Sequence, residues 1–143
     1  MGSIQEHKIR IKEHLEQIND AIDKGIEQRP VTIGFHCSSC SVELLQLYLH
    51  KINAISTGKI VKHNWFERPQ KGQKIAPMIE RKLTVYFADK EIIYGYLYLL
   101  EENRDNLIYG RSTKAQIELV LKNFLDVKEL LSQKLKELGE TIE

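Results

Sequence analysis

The chain has few of the residues that mark disulfide-linked, loop-rich or membrane-spanning proteins. Only two of its 143 residues are cysteine, Cys37 and Cys40, which excludes a disulfide framework. Three prolines and eight glycines indicate few loops. No uninterrupted apolar run approaches ~18 residues, so the sequence predicts no transmembrane helix. The start of the chain is too polar for a signal-peptide core, and we therefore expect a cytoplasmic protein.

The length and the charge distribution limit the interpretation further. A chain of 143 residues has the size of one domain, which we assign to residues 1–143. Hydrophobic residues make up 42% and charged residues 29%, a composition typical of a folded domain. The net charge of +1 conceals an asymmetry, because residues 59–82 carry +5 and the remainder carries −4. Such a basic segment attracts anions locally.

Apolar residues recur at helical spacing along most of the chain. The stripe from Ile11 to Ile26 predicts a first helix at 4–24, ended by Gly25. The second predicted helix is apolar on so much of its circumference that we expect it at the centre of the fold. Thr113 and Gln116 form a candidate capping box for the last helix. The predicted long helices are 4–24, 31–53, 84–109 and one from 113 to about 138. These predict an all-α fold, an antiparallel up-and-down bundle of four long helices.

Residues 54–82 break this pattern with two prolines and two glycines. We predict a short basic helix at 58–66 and a long loop at 67–78. Trp65 and Phe66 fit stacking on bases, while the lysines of this segment (Lys59, Lys62, Lys71 and Lys74) fit phosphate contacts. The alternative is that the two rings fix the short helix on the bundle and that the lysines keep the loop solvated.

A second concentration of polar residues lies at 102–111, in the run ENRDNLIYGR. Arg104 and Tyr109 are five residues apart, which on one helix separates them by ~7.5 Å along the axis and roughly 140° around it. They can share a ligand only in a groove completed by another helix, and a second copy of the chain would supply one, so we predict a homodimer. The alternative is a surface Arg104–Asp105 pair with Tyr109 covering the core.

The order of these elements resembles the HEPN domain (higher eukaryotes and prokaryotes nucleotide-binding) over residues 4–138. The resemblance rests on the run HCSSCSVELLQLYLHK, which contains Glu43, on KHNWF at 62–66, and on ENRDNLIYGR. The catalytic signature of that family is an arginine, a polar residue, three variable residues and a histidine. Arg104 and Asp105 match it, whereas Tyr109 stands at the position of the histidine.

The resemblance implies one of several activities. Family members with the full signature are metal-independent ribonucleases that act as dimers. Other members are noncatalytic partners of nucleotidyltransferases, including toxin–antitoxin-like pairs, or modules that bind nucleotides or RNA.

The tyrosine at position 109 favours binding over catalysis. Histidine exchanges protons near neutral pH, whereas a tyrosine with a pKa of about 10 is almost entirely protonated there. We therefore predict a noncatalytic nucleotide- or RNA-binding module that needs no cofactor. Its predicted ligand-binding residues are Arg104, Asp105, Tyr109, Arg111, Lys62 and His63. The alternatives are a divergent metal-independent ribonuclease that uses Arg104 with Tyr109 or His63, and a structural helical-bundle interaction protein.

The cysteines and histidines also suggest a metal site. His36 and Cys40 are four residues apart and could face one ion, but a zinc site needs four ligands and His63 or a partner chain would have to complete it. We therefore predict that Cys37 and Cys40 are buried in the core and that no metal binds. We expect His7 and His14, seven residues apart, on a solvated face of the first helix.

Overall fold

The computed structural model describes residues 3–142 and contains four long helices and one short helix. The helices are α1 (Ile4–Lys24), α2 (Pro30–Lys51), α3 (Met78–Lys82), α4 (Lys90–Tyr109) and α5 (Lys114–Glu137). Single 3₁₀ turns lie at Ile26–Gln28 and His63–Phe66. The prediction of an all-α bundle is confirmed.

The helix ends follow from residues that satisfy free backbone groups. Ser3 caps α1 by accepting a hydrogen bond from the backbone N–H of Glu6. Gly25 ends the helix with φ of +100°, a conformation that suits glycine. The predicted capping box of α5 is present, because Thr113 and Gln116 each bond the backbone of the other.

Helix α2 lies at the centre, as its apolar circumference predicts, and packs against α1, α4 and α5. Contacts between the helices give their directions. His7 meets Glu43 and His14 meets His36, so α1 and α2 run in opposite directions. Gly34 near the start of α2 meets Leu107 near the end of α4, and Asp89 before α4 meets Lys134 near the end of α5. Consecutive long helices therefore run antiparallel.

The close contact between α2 and α4 is possible because Gly34 of α2 has no side chain. A Cβ atom at Gly34 would lie 2.7 Å from the Cβ of Leu107 and 3.4 Å from the backbone oxygen of Arg104. Glycine thus lets the last turns of α4 approach α2 closely. This approach fixes the position of the α4 backbone at Arg104.

The segment between α2 and α4 differs in detail from the prediction. The helix expected at 58–66 is reduced to the 3₁₀ turn, the loop at 67–77 is as expected, and α3 was not predicted. Helix α4 begins at Lys90 rather than near 84, because Asp89 has left-handed backbone angles with φ of +66°. Before it, Leu83 and Val85 are buried and their neighbours are exposed, the alternation of an extended segment.

One apolar core joins the long helices and includes both cysteines. Cys37 and Cys40 are fully buried, so their prediction as core residues is confirmed. Among residues 3–142, no helix is long and apolar enough to cross a membrane.

Candidate functional site

A row of polar side chains connects the 3₁₀ turn with the second half of α4. His63 Nδ1 donates a hydrogen bond of 2.7 Å to Glu101 Oε1. Arg104 follows Glu101 by three residues on α4 and therefore lies on the same side of that helix. His63 and Arg104, which are 41 positions apart in the sequence, are thus joined through Glu101.

The surroundings of Glu101 make the ionised form of its carboxyl less favourable than in water. Burial raises the pKa of this carboxyl more than the hydrogen bond from His63 and the charge of Arg104 lower it, and its pKa lies above the ordinary value. The carboxylate orients the His63 ring through Nδ1, which leaves Nε2 as the outer nitrogen of the imidazole.

The side chain of Arg104 is largely buried, and one of its N–H groups donates no hydrogen bond within residues 3–142. Its side chain is 13% exposed and its guanidinium carbon lies 5.5 Å from the centre of the Phe35 ring. Its one ion pair among the described residues is with Asp105, at 3.7 Å between Nη1 and Oδ1. The buried Nε has no hydrogen-bond partner among those residues. A buried donor without a partner is uncommon in a folded protein, and within residues 3–142 five further buried side-chain atoms share this state.

The remaining residues of the predicted site at the end of α4 point to solvent. Asp105 and Tyr109 are 82% and 81% exposed, and Arg111 is exposed beyond the end of the helix. Arg104 and Tyr109 lie on different sides of α4, as their spacing predicts, and form no hydrogen bond or ring contact with each other within the described chain. One copy of the chain does not bring them to one spot.

Lys62 and His63 line a cavity of about 340 Å³ between α1, α2 and the 3₁₀ turn. Its apolar wall consists of Val42, Ile60 and Val61. The polar lining comes from all three elements and consists of His7, Arg10, Ser39, Glu43, Gln46, Lys62, His63 and Asn64. His63 therefore borders the cavity and, through Glu101, is also joined to the side of α4 that carries Arg104.

An ion cluster forms the side of this cavity that belongs to α1 and α2. Glu43 accepts hydrogen bonds from His7 Nδ1 and from Arg10 Nε. Burial raises the pKa of Glu43, but these two hydrogen bonds outweigh it, so the pKa of Glu43 lies below its ordinary value. Glu43 is therefore ionised at neutral pH, and its charge is compensated by Arg10.

The expectation that His7 and His14 are solvated is wrong. His7 is 1% exposed, because it turns toward Glu43 and stacks at 5.1 Å on the ring of His50. His14 is half-buried, and its Nδ1 lies 2.9 Å from Nδ1 of His36. Burial lowers the pKa of both His14 and His36, so both rings favour the neutral form.

The two aromatic residues of the basic segment have different roles. Phe66 is fully buried and packs edge-on against Tyr94, so it fixes the 3₁₀ turn on α4. Trp65 is half-buried, with the ammonium groups of Lys59 and Lys82 each 5.8 Å from its ring. The structural alternative therefore holds for Phe66, and Trp65 carries two cations at the surface.

No group of three or more histidine, cysteine or acidic side chains within residues 3–142 is arranged to hold a metal ion. His36 is half-buried and lies beside His14, whereas Cys40 is fully buried in the core, where burial raises the pKa of its thiol.

Sequence reasoning missed the cluster of His7, Arg10 and Glu43 and the role of Glu101. A signal was available, because His7, Arg10 and His14 follow the helical spacing of three and four residues, as do His36, Ser39 and Glu43. Two such polar stripes on neighbouring antiparallel helices can pair.

Comparison of the chain with protein-family models, curated proteins and solved structures found no match.

Proposed function

We propose that this protein is a nucleotide- or RNA-binding module whose phosphate-binding centre is Arg104. The observation that carries the proposal is the state of that side chain. It is a largely buried guanidinium beside the His63–Glu101 pair, with an Nε that has no partner among the described residues. A guanidinium presents a planar fork of donors that fits two phosphate oxygens.

The surrounding charges support an anionic ligand. Lys62 is exposed on the rim of the adjacent cavity and forms no ion pair within residues 3–142. Lys59, which precedes the 3₁₀ turn, and Lys82, at the end of α3, flank Trp65 of that turn. A phosphate chain that passes from Arg104 over this turn would meet cations and one half-exposed indole, the combination used by proteins that bind single strands.

The resemblance to the HEPN domain adds the expected assembly. In this proposal the module is a homodimer in which Tyr109 of one copy completes the groove that starts at Arg104 of the other. Its protein partner is a nucleotidyltransferase, as in toxin–antitoxin-like pairs, and it acts in the cytoplasm without a cofactor.

One observation favours a second function, a divergent metal-independent ribonuclease. Glu101 orients the imidazole of His63, and an imidazole oriented by a carboxylate is an arrangement that general acids and bases use. In that case His63, rather than Tyr109, is the catalytic partner of Arg104, because Glu101 joins His63 to the side of α4 that carries Arg104.

Incubation of labelled single-stranded RNA with the protein in excess chelator separates the two functions. Binding without cleavage supports the module, and cleavage that His63→Gln abolishes supports the ribonuclease. Arg104→Ala should abolish either result, and Lys24→Ala, an exposed cation at the end of α1, is the control of equal charge. Failure of the protein to bind RNA or any nucleoside phosphate overturns both functions and leaves the structural helical-bundle interaction protein.

A further inference from the structure

We infer that the cavity between α1, α2 and the 3₁₀ turn is a nucleobase-binding subsite of the surface described above. The inference rests on the proposed function, because it assigns to the cavity the base of a nucleotide whose phosphate is held outside it. The volume of about 340 Å³ is at the lower end of the range of small-ligand pockets and accommodates one heterocyclic base.

The walls of the cavity have the chemistry that a base requires. Val42, Ile60 and Val61 supply an apolar surface for the face of a flat ring. Ser39 and Asn64 lie in the polar lining, and neither side chain has a hydrogen-bond partner within residues 3–142. A hydroxyl and a carboxamide are both donor and acceptor, so together they can read the edge of a base.

Apart from Lys62, the other polar groups of the lining already form hydrogen bonds, which hold the cavity in shape. Glu43 is held by His7 and Arg10, and Gln46 Oε1 accepts a hydrogen bond of 2.8 Å from the backbone N–H of Val61. These bonds tie α1 to α2 and α2 to the segment that carries Ile60 and Val61. The subsite is therefore built before the ligand arrives, which reduces the entropy lost on binding.

The position of the cavity matches a nucleotide bound at Arg104. Lys62 and His63 line the cavity, and His63 also contacts Glu101, one helical turn before Arg104. A base inside the cavity would leave its sugar and phosphate near Lys62 and direct the chain toward the guanidinium. Two cations, Lys62 and Arg104, would then flank the sugar–phosphate of the captured residue.

The test compares a short single-stranded RNA with an RNA of the same length whose residues are abasic, by fluorescence anisotropy. Both carry the same phosphates, so the ratio of their affinities measures the contribution of the bases. We expect the protein to bind the ordinary RNA about 10-fold more tightly than the abasic one. Ser39→Leu, which fills the cavity from the side of α2, should reduce that ratio to about 1 and leave the affinity for abasic RNA unchanged.

Ser56→Leu makes the same change of side chain at an exposed position outside the cavity and should keep the ratio. Ser39→Ala removes only the hydroxyl, and its melting temperature together with that of Ser39→Leu shows that both variants fold. Nucleoside 5′-monophosphates should compete with the RNA for the protein, and Ser39→Leu should abolish that competition.

Two results would overturn the inference and leave the proposed function standing. One is equal affinity for ordinary and abasic RNA, and the other is a base preference that Ser39→Leu retains, which would place base recognition elsewhere, for example on Trp65. Absence of binding to either RNA and to the monophosphates overturns the proposed function and the inference with it.

Discussion

His63 and Glu101 are joined by a 2.7 Å hydrogen bond that connects the 3₁₀ turn of the basic segment to α4, one helical turn before Arg104. Residues that the chain separates widely are therefore parts of one surface. His63 also lines the cavity, and the charge of Arg104 acts on Glu101.

The close packing of α2 on α4 at Gly34 gives a test of the fold. Gly34→Ala would place a methyl group 2.7 Å from the Cβ of Leu107, and we expect a net loss of roughly 1–2 kcal/mol in the free energy of unfolding. Gly95→Ala is the matched control, because this glycine of α4 has no atom within 4 Å of an added Cβ. It should stabilise the protein by about 0.5–1 kcal/mol. Denaturant unfolding of both variants checks the pair, and equal effects would contradict the packing described at Gly34.

Much of the fold was predictable because it depends on local pattern. The stripes of α1 and α5, the end of α1 at Gly25 and the capping box at Thr113 are properties of neighbouring residues. The apolar run through Tyr86 and Phe87 predicts a start of α4 near residue 84, whereas the left-handed Asp89 lets the helix begin only at Lys90. The alternation at Leu83 and Val85 was the available signal for an extended segment.

The candidate site was only partly predictable for a physical reason. The spacing of Arg104 and Tyr109 correctly predicts that they lie on different sides of α4. The partners of His63 and His7, however, are acidic residues 38 and 36 positions away along the chain. Such pairs depend on how the elements are arranged in space. The pattern of neighbouring residues does not specify which polar stripe of one helix will contact a given stripe of another.

The buried histidines predict how stability depends on pH. Burial lowers the pKa of His14, His36 and His50 below the ordinary value near 6.5. On acidification the unfolded chain therefore takes up protons before the folded chain does, and stability is lost as the pH falls below about 6.5. The lowered pKa of Glu43 adds a further loss below about pH 4.5.

Urea unfolding at a series of pH values measures this dependence. The raised pKa of Glu101 acts in the opposite direction, but it is one group against three histidines, so we expect the free energy of unfolding to decrease from about pH 7.5 to about pH 5. The double variant His14→Gln with His36→Gln should show a shallower decrease over the same interval. A stability that is constant or rises on acidification across this range would refute the assignment of these rings as buried and neutral.

The proposed homodimer predicts a specific dependence on Tyr109. This ring is 81% exposed on a different side of α4 from Arg104 and has the surface position expected of a residue that reaches into a partner's groove. Light scattering at micromolar concentration should give twice the 16.7 kDa mass of the chain. Tyr109→Glu should shift the mass to that of one chain, because a carboxylate at the centre of the interface would be desolvated.

Tyr86→Glu is the control for that measurement. Tyr86 is 86% exposed but lies ahead of α4, at the opposite end of that helix from Tyr109. This variant should keep the mass of the wild-type protein. A monomer in the unmodified protein, or an equal effect of the two substitutions, would contradict the assembly proposed here.

The salt dependence of RNA binding tests most directly the claim that Arg104 holds a phosphate. Replacement of this side chain by alanine removes one charge-assisted contact and should weaken binding by roughly 1.5–3 kcal/mol. In a plot of the logarithm of the binding constant against that of the salt concentration, the slope should become shallower by about 0.7 for Arg104→Ala, the contribution of one phosphate on a single strand. Identical slopes and affinities for the wild-type protein and Arg104→Ala, with RNA bound by both, would show that this guanidinium does not contact the ligand.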